Sequence, residues 1–252
     1  MNTETKELVS KVPHVTLIFW IVKIFATTLG ETGGDALSMS LDLGYLVSTG
    51  IFALIFVAAV AVQIKASKFH PALYWLTIVA TTTVGTTMAD YATRDLGIGY
   101  TGGSAILLTF VLLSLLVWRL VMGTVSVESV NTPKVEIFYW VTIMFSQTLG
   151  TALGDWFADS LDLGYLAAAA VFGAALLLTY LLYRFTSISR ASLFWVAFIL
   201  TRPLGAVVGD FLDKPLDHGG LALSRFTASA VLLVLIVAFI YTFPQRPAEK
   251  AH

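Results

Sequence analysis

The sequence predicts an all-α integral membrane protein of eight transmembrane helices, arranged as two parallel four-helix halves and built from four helical-hairpin repeats. Three observations carry this reading. Of the 252 residues, 57% are hydrophobic and only 12% are charged, far below the ~25% charged content of soluble domains. Eight apolar runs occur, each at or near the ~20 residues that cross a bilayer. Finally, a Trp, a Gly ten residues on and an Asp five beyond it recur four times, as Trp20/Gly30/Asp35, Trp75/Gly85/Asp90, Trp140/Gly150/Asp155 and Trp195/Gly205/Asp210.

The first run covers 16–37 and sets Lys23, Thr27, Glu31 and Asp35 at four-residue steps, so they share one helix face. It follows a mostly polar stretch and lacks a small-residue cleavage pattern, so it is expected to stay as a helix rather than serve as a secretory signal. The second run, 45–64, is rich in Leu, Val and Ala and is expected to face lipid, as are the other even runs at 100–121, 163–183 and 222–243. In the third run, 72–90, the polar stripe is Thr82, Thr86 and Asp90, with Thr81, Thr83 and Thr87 beside it. The fifth, 137–157, carries Gln147, Thr151 and Asp155, and the seventh, 191–212, carries Arg202, Ala206 and Asp210. Pro203 is expected to kink that helix or free a backbone carbonyl. Each odd run has small residues four apart before its Asp, namely Gly30/Gly34, Gly85/Ala89, Gly150/Gly154 and Gly205/Gly209, a pattern that lets helix backbones approach closely.

Spacings of 55, 65 and 55 residues between the repeated Trp divide the chain into halves at 1–125 and 126–252. Leu41-Asp42-Leu43-Gly44-Tyr45 returns as Leu161-Asp162-Leu163-Gly164-Tyr165, and the segments around Asp95 and Asp217 are degenerate copies; such repetition is the signature of a repeat architecture. An even number of spans per repeat makes the internal symmetry parallel, about an axis along the membrane normal, rather than inverted. The odd helices are then expected to surround a common axis with their Asp residues facing it. Asp42, Asp95, Asp162 and Asp217 read as turn or cap residues, and the four repeated Trp as interfacial anchors.

Lys6, Lys11, Lys65, Lys68, Arg119, Lys134, Arg184, Arg190, Arg246 and Lys250 fall on one side of this arrangement, whereas the opposite loops are mainly acidic. The positive-inside rule therefore places both termini in the cytoplasm. With no Cys there are no disulfides or thiolate metal sites. His14, His70, His218 and His252 are scattered outside the apolar runs, and the formal net charge of −1 includes no basic patch for nucleic acid.

The four stripes match in position and differ in chemistry, because Lys23 and Glu31 occur only in the first and Arg202 only in the seventh. An array of identical caps gives no reason for this difference; an asymmetric polar pathway does. Ionisable groups at membrane depth mark pathways and relays. Arg202 is the expected counter-ion of Glu31 across the axis, since pairing lowers the cost of burying both, while Lys23 reaches Glu31 only through longer contacts or water. Glu31, Asp35, Asp90, Asp155 and Asp210, with Thr27, Thr86 and Thr151, offer hard oxygen ligands suited to Mg, Ca, Mn, Na or protons. The competing reading makes each Asp a helix-end cap near the outer interface.

Binding and release across a membrane implies transport, and no phosphate-cradling loop supports ATP-driven pumping. The expectation is a secondary, proton-coupled exporter of a hard divalent cation, with Glu31 exchanging a proton for the ion. A cation channel, or a transporter of sodium or of a small organic cation, is the alternative. No nucleophile or metalloprotease motif suggests an enzyme. The expected partners are the metal ion, the proton and membrane lipid, with no nucleic acid and no tightly bound cofactor, and the chain is a monomer or homodimer.

Through Thr28-Leu29-Gly30 to Gly34-Asp35 and Thr148-Leu149-Gly150 to Gly154-Asp155, the chain resembles a family of bacterial inner-membrane proteins described as uncharacterised membrane-anchored proteins, with repeated Trp…Thr-Leu-Gly-x-x-x-Gly-Asp segments. That resemblance covers essentially the whole chain and implies a multi-pass protein of the bacterial inner (cytoplasmic) membrane. Glu31-Thr32-Gly33-Gly34-Asp35 is also similar to the Glu-x-Gly-Asp-Lys/Arg-Ser/Thr signature of a manganese/calcium cation/proton exchanger family, departing by one extra residue and by Ala36 at the basic position. The similarity implies manganese as the cargo.

Overall fold

Residues 9–248 are described by the computed structural model of the chain; Lys6, Lys250 and His252, counted above, lie outside them. Among the described residues the protein is all-α, with eight long helices: α1 Leu17–Asp35, α2 Gly44–Lys65, α3 Pro71–Asp90, α4 Tyr100–Met122, α5 Pro133–Asp155, α6 Gly164–Phe185, α7 Arg190–Asp213 and α8 Arg225–Thr242. Their starts follow local chemistry. The Thr16 hydroxyl accepts from the Phe19 amide at 3.3 Å, and Ser189 and Ser224 cap α7 and α8 in the same way. Pro71 and Pro133 open α3 and α5, where a missing N–H costs nothing. Helix α7 runs through Pro203 without interruption.

Helices α2, α4, α6, α7 and α8 are long and apolar enough to cross a membrane by length and composition. Helices α1, α3 and α5 hold their Thr and acidic residues on the buried face, which lowers mean hydropathy without exposing polarity. The even helices instead present apolar side chains outward, with Leu54 and Leu120 each 74% exposed. An apolar outer surface of this extent suits contact with lipid.

The odd helices form a closed ring in which α1 packs on α3, α3 on α5, α5 on α7 and α7 on α1. Each even helix lies outside this ring and packs chiefly on the odd helix that follows it: α2 on α3, α4 on α5, α6 on α7, and α8 back on α1. Thus the hairpin is a unit of sequence, while the packed pair takes one helix from each of two successive hairpins.

Glycine decides how closely the ring closes. A side chain three residues before the repeated Gly of each odd helix lies against the repeated Gly of a neighbour: Thr82 against Gly30, Gln147 against Gly85, Arg202 against Gly150 and Thr27 against Gly205. A Cβ on Gly30, Gly150 or Gly205 would overlap the facing side chain. One turn further on, Thr86 covers Gly34 and Glu31 covers Gly209. The small-residue pairs therefore seat the polar stripe of one helix in the groove of the next, the close approach such residues allow.

At one end of the bundle, residues flanking the helices join. The Lys11 amide donates to the Val130 carbonyl at 2.8 Å, the His14 amide to Arg246 at 2.7 Å and the Ala248 amide to Val12 at 2.8 Å. Lys11, counted above as a loop charge, is buried: its ammonium donates to the Gln63 and Ile64 carbonyls at the end of α2 and lies 2.7 Å from Glu136, satisfying carbonyls a helix end leaves open.

The repeated Trp correct the expectation of interfacial anchors. Trp75, Trp140 and Trp195 are buried at this end and Trp20 is half-buried. They pack with Phe19, Tyr74, Tyr139 and Phe194, the residues immediately before each Trp, in a continuous aromatic cluster. With aromatic rings at two adjacent positions on each of four inner helices, the cheapest burial is against one another on the axis.

Candidate cation site

Equivalent positions of the four inner helices stack along the axis. Above the aromatic cluster come Lys23, Ile78, Ile143 and Phe198, all fully buried. Next are Thr27, Thr82, Gln147 and Arg202, then Glu31, Thr86, Thr151 and Ala206, and last Asp35, Asp90, Asp155 and Asp210, with every one of these side chains buried. Right after Asp35, Asp90 and Asp155 the α-helix gives way to a π-helical turn, at Ala36–Ser40, Tyr91–Asp95 and Trp156–Ser160. Such turns often accompany functional sites. The last of them also seats Trp156 and Phe157, the latter with its ring centroid 5.0 Å from that of Phe172 of α6 in a tilted contact.

Glu31 and Arg202 meet near the axis at 3.0 Å. The same guanidinium nitrogen donates to Thr86 Oγ1 at 2.6 Å and to the Thr151 hydroxyl, and both hydroxyls lie near Glu31, at 3.3 and 3.5 Å. Four helices thereby contribute to one buried cluster, α7 supplying the counter-charge to Glu31 of α1. Arg202 Nε and Nη1 and Gln147 Oε1 are buried without a hydrogen-bond partner, a capacity that bound water would satisfy. Thr27 stands apart from this cluster, because its hydroxyl donates into a group of backbone carbonyls, Ile24 at 2.9 Å with Lys23 and Thr201 also in range. Lys23 does not meet Glu31 either; its amine lies 3.0 Å from Thr201 Oγ1 and 3.8 Å over the Phe198 ring.

The four Asp residues are joined in pairs by two cations from the ends of the inner helices, Arg94 and Lys214. Arg94 bridges Asp90 at 3.0 Å and Asp155 at 3.3 Å, linking α3 to α5. Lys214 bridges Asp35 at 2.7 Å and Asp210 at 3.0 Å, linking α1 to α7. Arg225, at the start of α8, lies 3.0 Å from Asp213 and 3.7 Å from Asp35. Burial works against the Lys214 charge, but Asp210, Asp35 and Asp213 outweigh it and raise its pKa above the ordinary lysine value. The signal for both bridging cations is present in the sequence, since Arg94 and Lys214 each fall four residues after a repeated Asp.

One carboxylate oxygen from each of Glu31, Asp35 and Asp90 lies within 4.8 Å of the others, and the same holds for Asp35, Asp210 and Asp213. Asp35 belongs to both groups. Oxygens so spaced are close enough for one cation at the ~2.0–2.6 Å metal–oxygen distances of magnesium or calcium to reach all three. Asp42 and Asp162 are not part of this site: both are exposed, in matching left-handed turns with φ of 54° and 52°, as expected for turn residues.

Four segments, residues 18–69, 73–124, 138–189 and 193–246, match a repeat of unknown function, DUF347. The chain belongs to this family. Each DUF347 repeat takes in most of one odd helix and the whole of the even helix after it, so the repeat boundary follows the hairpin and cuts across the packed pairs. A repeat that completes its packing only with its neighbours is the usual logic of repeat proteins. No curated protein and no solved structure matches the chain.

Proposed function

We propose that this DUF347 protein is a secondary, proton-coupled transporter of a hard divalent metal cation, manganese favoured and export the favoured direction. The carrying observation is the buried triad of Glu31, Asp35 and Asp90, whose ligand oxygens lie within 4.8 Å of one another. All eight long helices span the membrane in this reading, which is the bacterial inner membrane with both termini cytoplasmic. Exposed Lys65, Lys68, Arg119, Lys134, Arg184, Arg190 and Arg246 at the end where the terminal segments join support that orientation.

A hard cation suits a donor set made only of carboxylates and hydroxyls. Six carboxylates, Glu31, Asp35, Asp90, Asp155, Asp210 and Asp213, face four cations, Arg94, Arg202, Lys214 and Arg225. The cluster thus carries formal acidic charge in excess, which a divalent ion neutralises. Asp35 shared between the two triads gives the ion a step from one to the other. Below them, Arg202, Lys23 and the aromatic cluster fill the axis, and this favours a carrier over a channel, whose pore needs a continuous path. Proton exchange is assigned to the carboxylates that bind the ion, with no enzyme activity. The protein is a monomer or homodimer in this reading.

Flux into proteoliposomes across manganese, magnesium, calcium, sodium and potassium tests the proposal. Selective, pH-dependent manganese flux in the wild type, abolished in Glu31→Gln and Asp35→Asn, is the expected result. Folded protein that moves none of these ions rules it out.

A further inference from the structure

Lys214 is placed where a bound cation would sit. Its ammonium lies 2.7 Å from Asp35 and 3.0 Å from Asp210, two members of the triad Asp35, Asp210 and Asp213. Arg225 contacts the third member, Asp213, and lies 3.7 Å from Asp35. Asp210 Oδ1 is buried, with the ammonium 3.0 Å away as its ion-pair partner.

Position in the chain separates Lys214 from the helical ligands. It is the first residue beyond α7, followed by Pro215 and a single 3-10 turn at Leu216–His218, and its side chain is 14% exposed while Asp35 beneath it is 1% exposed. The ammonium therefore stands between the buried carboxylates and the exterior of the bundle. Its compact point charge on a flexible stem can leave and return without moving a helix, unlike a guanidinium fixed by two partners.

We infer that Lys214 is a tethered competitor for the transported cation: it holds Asp35 and Asp210 in the ion-free site and withdraws when a divalent ion binds between them. This rests on the reading of the carboxylates as a cation site. A dication gains more from two carboxylates than a monocation does, so the exchange proceeds while the site never keeps two unpaired acids in a dry interior. The arrangement also disfavours single-charge ions, which offer the carboxylates no more than the lysine already supplies. Lys214 thereby sets affinity and selects for double charge.

The test is equilibrium binding of manganese chloride to the purified full-length protein in detergent, read as loss of the free-ion electron paramagnetic resonance signal. Lys214→Gln is expected to bind manganese about tenfold tighter or more, because the competitor is gone. It is also expected to admit sodium as a competitor of manganese, which wild type excludes. Lys214→Arg keeps the charge and bridges the two carboxylates with a planar fork, so it is expected to bind more weakly than wild type. A Lys214→Gln protein that binds with unchanged or lower affinity overturns the inference, since a purely structural bridge predicts loss. Should that variant fail to fold, unchanged affinity in Lys214→Arg overturns it instead. Absence of manganese binding in wild type and both variants refutes the cation-site reading itself, a distinct outcome.

Discussion

The two ends of the helical ring are closed by opposite means. At the end where the terminal segments meet, Phe19, Tyr74, Tyr139 and Phe194 fill the axis with rings, and the Tyr74 and Tyr139 hydroxyls share one hydrogen bond of 2.6 Å. At the other end Asp35, Asp90, Asp155 and Asp210 fill the same four positions and are held by Arg94 and Lys214. The aromatic closure is non-directional packing that no small ion replaces. The acidic closure consists of ion pairs, whose strength depends on which charges face each other. One repeated scaffold thus yields an apolar end and a charged end, according to which side chains stand at equivalent positions.

The largest effect should come from the pair that separates those ends. Arg202→Leu leaves Glu31 buried without its counter-charge, a loss of about 3–5 kcal/mol, and thermal unfolding followed by Trp fluorescence should show a strongly lowered midpoint. The double variant Glu31→Leu/Arg202→Leu should recover most of that stability, since removing both charges removes the uncompensated burial. If the single and double variants unfold alike, the axial pair is not what holds the middle of the ring.

Backbone approach should matter next. Gly150→Ala places a methyl group inside the Arg202 side chain, and overpacking of this kind costs ~1–3 kcal/mol. Gly33→Ala sets its Cβ 3.8 Å from Thr83 and 3.9 Å from Ser229, ordinary contact distances, so its unfolding midpoint should stay near wild type. Equal losses in the two variants would show that helix packing is insensitive to the groove. The smallest effect is expected at the aromatic end: Tyr74→Phe removes the shared hydrogen bond, about 1 kcal/mol, and should leave manganese binding unchanged. A change in affinity there would mean that the two ends communicate.

Much of the fold was legible because its signals are periodic. Apolar runs mark the eight helices to within a few residues, and four-residue spacing puts Glu31 and Asp35, Thr86 and Asp90, and Thr151 and Asp155 each on one face. Other features were misread for a common reason. The repeated Trp suited an interfacial position in composition, yet the aromatic residue before each of them makes a shared core cheaper. Lys11 looked like a loop charge because its partners, Glu136 and the carbonyls of α2, lie far away in sequence.

The sequence by itself determined an all-α chain of four repeats, in which each odd helix carries small residues and an acid on one face. Those properties follow from local periodicity, which fixes what a helix shows to its surroundings. Only the tertiary structure decided what each face meets. It sent the even helices to the following repeat, divided four Asp residues between Arg94 and Lys214, and brought Arg202 to Glu31 while leaving Lys23 against Phe198. Pairing of buried charges depends on the order of helices around the axis and on the few ångströms a glycine groove allows, and neither quantity is encoded in the period of a single helix.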